Sequence, residues 1–166
     1  MLVLGIDPGT ALTGYGLVRQ EKDGTLVLVD YGAISTPAKM AMAERLKILY
    51  EELTGLITLH RPDAGAVEKL FYQRNVSTAM TVGQGRGVAV LALAQANLDV
   101  DEYTPGEVKQ AVCGYGGADK QQVQRMVKAL LRMETLPQPD DAADALAVAI
   151  CSLHMLQSRK RIEEGL

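Results

Sequence analysis

Two short apolar runs in this chain each end in a single acid. The first is LVLGID at residues 2–7, and the second is AGAVE at residues 64–68. Between them, residues 40–59 repeat their apolar side chains with helical period: Met42, Leu46, Leu49, Leu53, Leu56 and Ile57 share one face. Pro37 precedes that stretch and Pro62 follows it, as expected at helix boundaries. A strand, a crossover helix and a second strand of one sheet run parallel. Runs without polar alternation are buried on both faces, as strands of parallel sheets are. Asp7 and Glu68 therefore emerge at the same edge of one sheet. In open α/β sheets that edge, at the carboxyl ends of the parallel strands, is where ligands bind.

The remaining elements follow from similar signals. Residues 14–19 and 25–35 read as strands around a Lys22-Asp23-Gly24 turn, so the chain opens with an antiparallel meander. Residues 75–97 read as a second helix and 98–103 as a fifth strand. Thr104-Pro105-Gly106-Glu107 is a capping box with proline at the first helical position. Residues 113–118 are a glycine-rich break and 119–133 a further helix. A last helix spans about 140–157 with Asp140 as its N-cap. This order predicts an α/β fold: a mixed five-stranded sheet with helices on both faces. Residues 1–157 are expected to form a single domain and 158–166 a polar, frayed tail. With 166 residues, 48% of them hydrophobic and 22% charged, the chain suits a globular domain and excludes disordered and fibrous classes. No apolar run is long enough to cross a membrane. No Lys or Arg precedes Arg19, unlike a secretory leader. Cys113 and Cys151 are too few for a disulfide framework. They read as reduced thiols, and a cytoplasmic setting is expected.

Asp141 and Asp144 lie three apart at the start of the last helix, on one face. Each acid has an ordinary structural explanation. Asp7 before Pro-Gly suits a turn, and Asp141 and Asp144 suit a helix N-terminus. Their joint placement is the informative point, because four acids on three segments could converge with Asp7 and Glu68. Clustered carboxylates raise one another's pKa, and a divalent cation removes that cost. Carboxylate oxygens suit Mg²⁺ or Mn²⁺. Two such ions about 3.5–4 Å apart can stabilise both the attacking and leaving oxygens of a phosphodiester. No His or Cys is spaced as a zinc ligand. His60 and His154 read as ordinary helix residues.

The chain resembles the RuvC family of Holliday-junction resolvases. The resemblance rests on GIDPGT at 5–10, TGYG at 13–16, AVEKLFYQRN at 66–75, GQGRGVA at 83–89, VKQAVCGYGGADKQQVQRMV at 108–127 and DAADALAVAI at 141–150. These segments run in family order over nearly the whole chain. The resemblance implies a ribonuclease-H-like fold and a structure-selective endonuclease that resolves four-way DNA junctions by paired, metal-dependent nicks. The family's acidic quartet falls on Asp7, Glu68, Asp141 and Asp144, as metal ligands and catalytic residues for two Mg²⁺ or Mn²⁺ ions. The nicks would leave 5′-phosphate and 3′-hydroxyl ends. Asp140 is an additional acid beside the quartet. Two other readings stay open at this point: a resolvase-like nuclease processing ribosomal RNA on the same fold, and a catalytically silent DNA-binding relative.

Net charge is −3, which alone argues against a nucleic-acid partner. The charge is segregated, however. Between Thr104 and Arg132, Lys109, Lys120, Arg125, Lys128 and Arg132 face only Glu107 and Asp119. Lys and Arg supply salt-sensitive phosphate contacts. Of these, Lys109 and Lys120 match basic family positions near the active site, whereas Arg125 and Lys128 read as a solvated helix face. Phe71 is the only Phe and has polar neighbours, Arg74 among them. The resemblance implies that Phe71 stacks on an unpaired base and that Arg74, Lys109 and Lys120 contact DNA. Gly83, Gly85 and Gly87 lie within a helical pattern, where each glycine costs about 1 kcal/mol against alanine, so close approach of another backbone is expected there. The resemblance implies a homodimer through this helix, with Gly83, Gly87 and Val90 at its interface, and cooperation with a RuvA–RuvB branch-migration complex.

Overall fold

A computed structural model of the chain describes residues 1–69 and 76–165. The order is β1 (Leu2–Asp7), β2 (Leu12–Gln20), β3 (Leu26–Ser35), α1 (Met42–His60), β4 (Ala64–Glu68), α2 (Val76–Gln95), β5 (Asp99–Tyr103), α3 (Pro105–Cys113), α4 (Lys120–Leu130) and α5 (Asp140–Glu163). The five strands form one mixed sheet in the order β3-β2-β1-β4-β5. β2 is antiparallel to both β1 and β3, whereas β4 is parallel to both β1 and β5. Asp23 Oδ1 accepts from the Thr25 amide at 2.9 Å, and Gly24, at φ 88°, takes the positive angle that closes the β2–β3 turn.

Period-2 alternation sorts the strand residues between two cores. Leu2, Leu4 and Ile6 of β1 join Leu49, Leu53 and Ile57 of α1 and Ala89, Ala92 and Leu93 of α2. On the other face, Val3 of β1 and Ala64 and Ala66 of β4 pack with α3, α4 and α5. Asp7 has the parity of Val3, and Glu68 the parity of Ala64 and Ala66. Both acids therefore belong to the α5 side of the sheet. The β1–β4 register ends with Ile6 opposite Val67, so Asp7 and Glu68 each follow the last residue paired between these two strands.

α5 is buried almost all round between Ala142 and Leu153. Its small residues let it lie directly on the sheet, and the sheet is correspondingly stripped of side chains beneath it. A Cβ on Gly5 would lie 2.6 Å from the Ala149 amide nitrogen, and one on Gly16 would lie 2.8 Å from that of Leu146. A Cβ on Gly14 would collide with the Asp141 carbonyl.

Three boundaries differ from the sequence reading. Pro139, not Asp140, is the N-cap of α5, without a side-chain cap. The Asp140 side chain is engaged instead by α4, where Gln124 donates to its Oδ1 at 3.0 Å. α5 also continues through the expected frayed tail to Glu163. Arg159 anchors that extension by an ion pair to Asp101 of β5 at 3.2 Å. Cys113 is the last residue of α3 rather than a loop residue.

Gly14→Ala should lower Tm and also displace the first turn of α5. Overpacking of this kind costs about 1–3 kcal/mol, or roughly 2–12 °C in Tm for a domain of this size. Thermal unfolding monitored by circular dichroism checks the first effect. A loss of nuclease activity larger than the loss of folded protein checks the second.

Candidate active site

Asp7 ends a strand on the α5 side of the sheet, and its backbone setting is fixed by the turn that follows. Thr13, which is fully buried, donates to the Gly9 carbonyl and accepts from the Gly9 amide at 3.2 Å. Gly85 of α2 packs against the same turn, where an added Cβ would lie 3.0 Å from the Gly9 carbonyl oxygen. The close backbone approach expected of this glycine is thus met within the chain. Glu68 ends the adjacent parallel strand. Asp141 and Asp144 project from the first turns of α5, whose N-terminal amides favour negative charge.

The electrostatics show that the four acids share one site. Burial pushes the Asp7 carboxyl up to about 8, reinforced by the charges of Glu68, Asp144 and Asp141. Burial also raises Glu68, with Asp144 adding to the effect, while a hydrogen bond from Asp7 and the charges of Lys109 and Lys120 oppose it. The two directions fit one arrangement, in which Asp7 keeps its proton and donates it to a Glu68 carboxylate. Asp144 is raised by burial and held down by Lys120. Lys120 Nζ lies 3.3 Å from Asp144 Oδ2 and 3.3 Å from Asp140 Oδ2. Glu68, Asp144, Lys109 and Lys120 line one cleft of about 230 Å³ with Pro105, Val108, Val123 and Ala147.

Among the described residues, no three His, Cys, Asp or Glu side chains form a closed metal-ligand group. Asp144 is paired instead with the Lys120 ammonium. The donor set nevertheless suits a hard cation, since every acidic group facing the site is a carboxylate. A proton bound well above its usual range marks negative charge that a divalent ion would neutralise. The thiols are unsuited to such a role. Burial pushes Cys151 up to about 12 and raises Cys113, so neither presents a thiolate near neutral pH.

A family model described as crossover junction endodeoxyribonuclease RuvC matches residues 3–152. A RuvC from a Roseiflexus species is 56% identical over 162 residues, covering 98% of this chain and 96% of its own. The chain belongs to the RuvC family of crossover junction endodeoxyribonucleases. Solved RuvC structures share its ribonuclease-H-like fold. Thermus thermophilus RuvC superposes with a TM-score of 0.89 at 33% identity, covering 96% of this chain and 97% of that one. The same protein in complex with Holliday junction substrate gives 0.87 at 30% identity, covering 95% and 96%.

In this RuvC-family chain, Asp7, Glu68, Asp141 and Asp144 come together, with Lys109 and Lys120 at the same cleft. Phe71 and Arg74 lie outside the described residues. Gly83 is half-buried on α2, and Gly87 is exposed with open space around it. Val90 is half-buried against the α1 side of the core. The large apolar residues most exposed on the helix are Val76, Met80 and Leu91, so Leu91 is more exposed than its neighbour Val90. The sequence reading passed over Gln124, a buried side chain that fixes Asp140. One signal was available: Lys120 and Gln124 are four apart and share a helix face.

The Asp7 shift has a sign that can be checked without DNA. The folded chain binds the Asp7 proton up to about pH 8, whereas an unfolded aspartate releases it near 3.8. The favourable contribution is complete below the unfolded value and is lost as pH rises through the folded one. Metal-free Asp7→Asn should therefore melt above wild type at pH 8, and the gap should close toward pH 4. Tm measured across that range in a chelating buffer reads the difference.

Proposed function

We propose that Asp7, Glu68, Asp141 and Asp144 form the hydrolytic centre of this crossover junction endodeoxyribonuclease and act on four-way DNA junctions. One observation carries the reading. Three separated segments bring four carboxylates to a single site, at the sheet edge where parallel strands end, against strong mutual repulsion. Membership of this nuclease family implies a divalent metal requirement, and the four carboxylates are the residues that would hold it. Bound there, two Mg²⁺ or Mn²⁺ ions would supply charge neutralisation and Lewis-acid activation of water and of the leaving oxygen.

The chain's own residues account for the rest. A cation held there would favour the deprotonated form of Asp7, which would then be a second carboxylate beside Glu68. Lys109 and Lys120, at the cleft, attract the scissile phosphate and fix its position. Thr13 and the Gly9 turn hold the end of β1 so that Asp7 does not recoil from its neighbours. The packing of α5 on Gly14 and Gly16 fixes Asp141 and Asp144 against the same strand ends. A cut between the 3′ oxygen and phosphorus leaves 5′-phosphate and 3′-hydroxyl ends. We assign Phe71, by resemblance, to stacking on an unpaired junction base, with Arg74 beside it on the backbone. Paired cutting calls for a homodimer through α2, working with a RuvA–RuvB complex in the cytoplasm. Among the described residues, no helix is long and apolar enough to cross a membrane.

Replacing Asp7, Asp141 or Asp144 by Asn, or Glu68 by Gln, should abolish junction cleavage while leaving junction binding. Removing one ligand disturbs the metal centre, whereas the lysine contacts to phosphate persist. Cleavage gels and mobility shifts on the same labelled four-way junction check both halves. Near wild-type cleavage by any two of these variants at saturating Mg²⁺ would overturn the assignment.

The dimer is tested best at Leu91, which is 49% exposed on α2. Leu91→Glu should give folded monomers that nick but do not cut in pairs, because an apolar interface tolerates an unpaired charge poorly. Val90→Asp would disturb the core as well and would confuse assembly with folding. Sedimentation velocity, together with counting of nicked and linear products from a cruciform plasmid, reads the outcome.

A further inference from the structure

The first turn of α5 carries one acid more than the four-carboxylate centre uses. Asp140 Oδ1 accepts a hydrogen bond from Gln124 Nε2 at 3.0 Å, and its Oδ2 lies 3.3 Å from Lys120 Nζ. The same Nζ lies 3.3 Å from Asp144 Oδ2. The ammonium is therefore shared equally between an acid of the centre and an acid beside it. Gln124 is only 7% exposed and sits one helical turn after Lys120, so α4 grips Asp140 at two points.

An ammonium and a divalent cation compete for the same carboxylate oxygens. If Asp144 were the only partner of Lys120, loading the centre would require the whole ion pair to be surrendered. A second acceptor at equal distance reduces that loss. It also keeps the ammonium at the mouth of the cleft after Asp144 has turned to a metal, where a phosphate of the DNA can take it up. Gln124 makes the second acceptor a fixed one, because it holds the Asp140 carboxylate by its other oxygen.

We infer that Asp140 is a positioning residue that draws Lys120 away from Asp144, freeing Asp144 for a divalent cation and holding the ammonium ready for the scissile phosphate. This rests on the reading of Asp144 as a metal ligand. All three side chains are partly exposed, at 52% for Lys120, 53% for Asp140 and 31% for Asp144. Exposed pairs are weak, so the expected effect is about two- to fivefold in affinity.

The test is direct Mn²⁺ binding to the full chain without DNA, read from the electron paramagnetic resonance signal of free Mn²⁺. The variants are Asp140→Asn, Lys120→Met, the double variant and Asp144→Asn. Asp140→Asn keeps an oxygen for Gln124 and removes only the charge facing Lys120. It should raise the Mn²⁺ dissociation constant about two- to fivefold when Lys120 is present and leave it unchanged in the Lys120→Met background. An equal effect in both backgrounds would show that Asp140 acts as a bare field charge and would overturn the inference. So would a lowered Tm with unchanged Mn²⁺ binding, which would make Asp140 purely structural. Asp144→Asn tests the underlying reading separately: if it binds Mn²⁺ as wild type does, the metal centre falls, whatever Asp140 does.

Discussion

The close seating of α5 on the sheet is the contact on which the rest of this structure depends. A helix normally stands off a sheet by the thickness of two layers of side chains. Here Gly5, Gly14 and Gly16 remove one layer, and the alanines of α5 thin the other. The result is a helix whose backbone touches strand backbone, with almost no freedom to slide or rotate. Asp141 and Asp144 are carried by the first turns of that helix, so their positions are inherited from the seating. A site built on a rigid helix and two strand ends holds its groups more precisely than one built on loops.

That rigidity matters because the site opposes folding. Four carboxylates at one sheet edge repel one another, and burial penalises each charge further. The structure offsets the cost in three ways. Asp7 retains a proton and shares it with Glu68. The α5 N-terminus offers its amides to the acids of its first turn. Lys109 and Lys120 bring opposite charge from α3 and α4. Two of these are reversible on the proposed reading: the proton can leave, and the ammonium can be passed to phosphate. On that reading, the repulsion of the metal-free site is masked by groups that a cation and a DNA backbone would displace.

Much of this was legible in the sequence, for physical reasons that differ between elements. The two acid-terminated apolar runs imply parallel buried strands, and strict alternation then sends Asp7 and Glu68 to the same face. The Thr104–Glu107 capping box is a local signal and is present as such, with reciprocal hydrogen bonds at 2.7 and 3.2 Å. What escaped was set by contacts between elements. The true end of α5 depends on Arg159 meeting Asp101, 58 positions away. The role of Asp140 depends on α4 docking beside α5, so its cap propensity was outweighed by Gln124 and Lys120. The inward side of α2 was illegible for another reason. α2 is built of Gly, Ala and Val with few polar residues, and no polar stripe marks which side faces out.

The same segregation explains how an acidic chain can act on DNA. A net charge of −3 describes the sum, whereas a phosphate backbone responds to the local field. The acids of the centre are half-buried, and Glu68 and Asp144 line a cleft that Lys109 and Lys120 share. The lysines at that cleft are on α3 and α4, which otherwise carry few acids, and they present the outward charge. On the proposed reading, divalent cations that offset the carboxylates would leave the lysine charge at the cleft uncancelled. On the same reading, cation binding and DNA binding would be coupled through one set of charges, with Lys120, which pairs with Asp144 and lines the cleft, as the link.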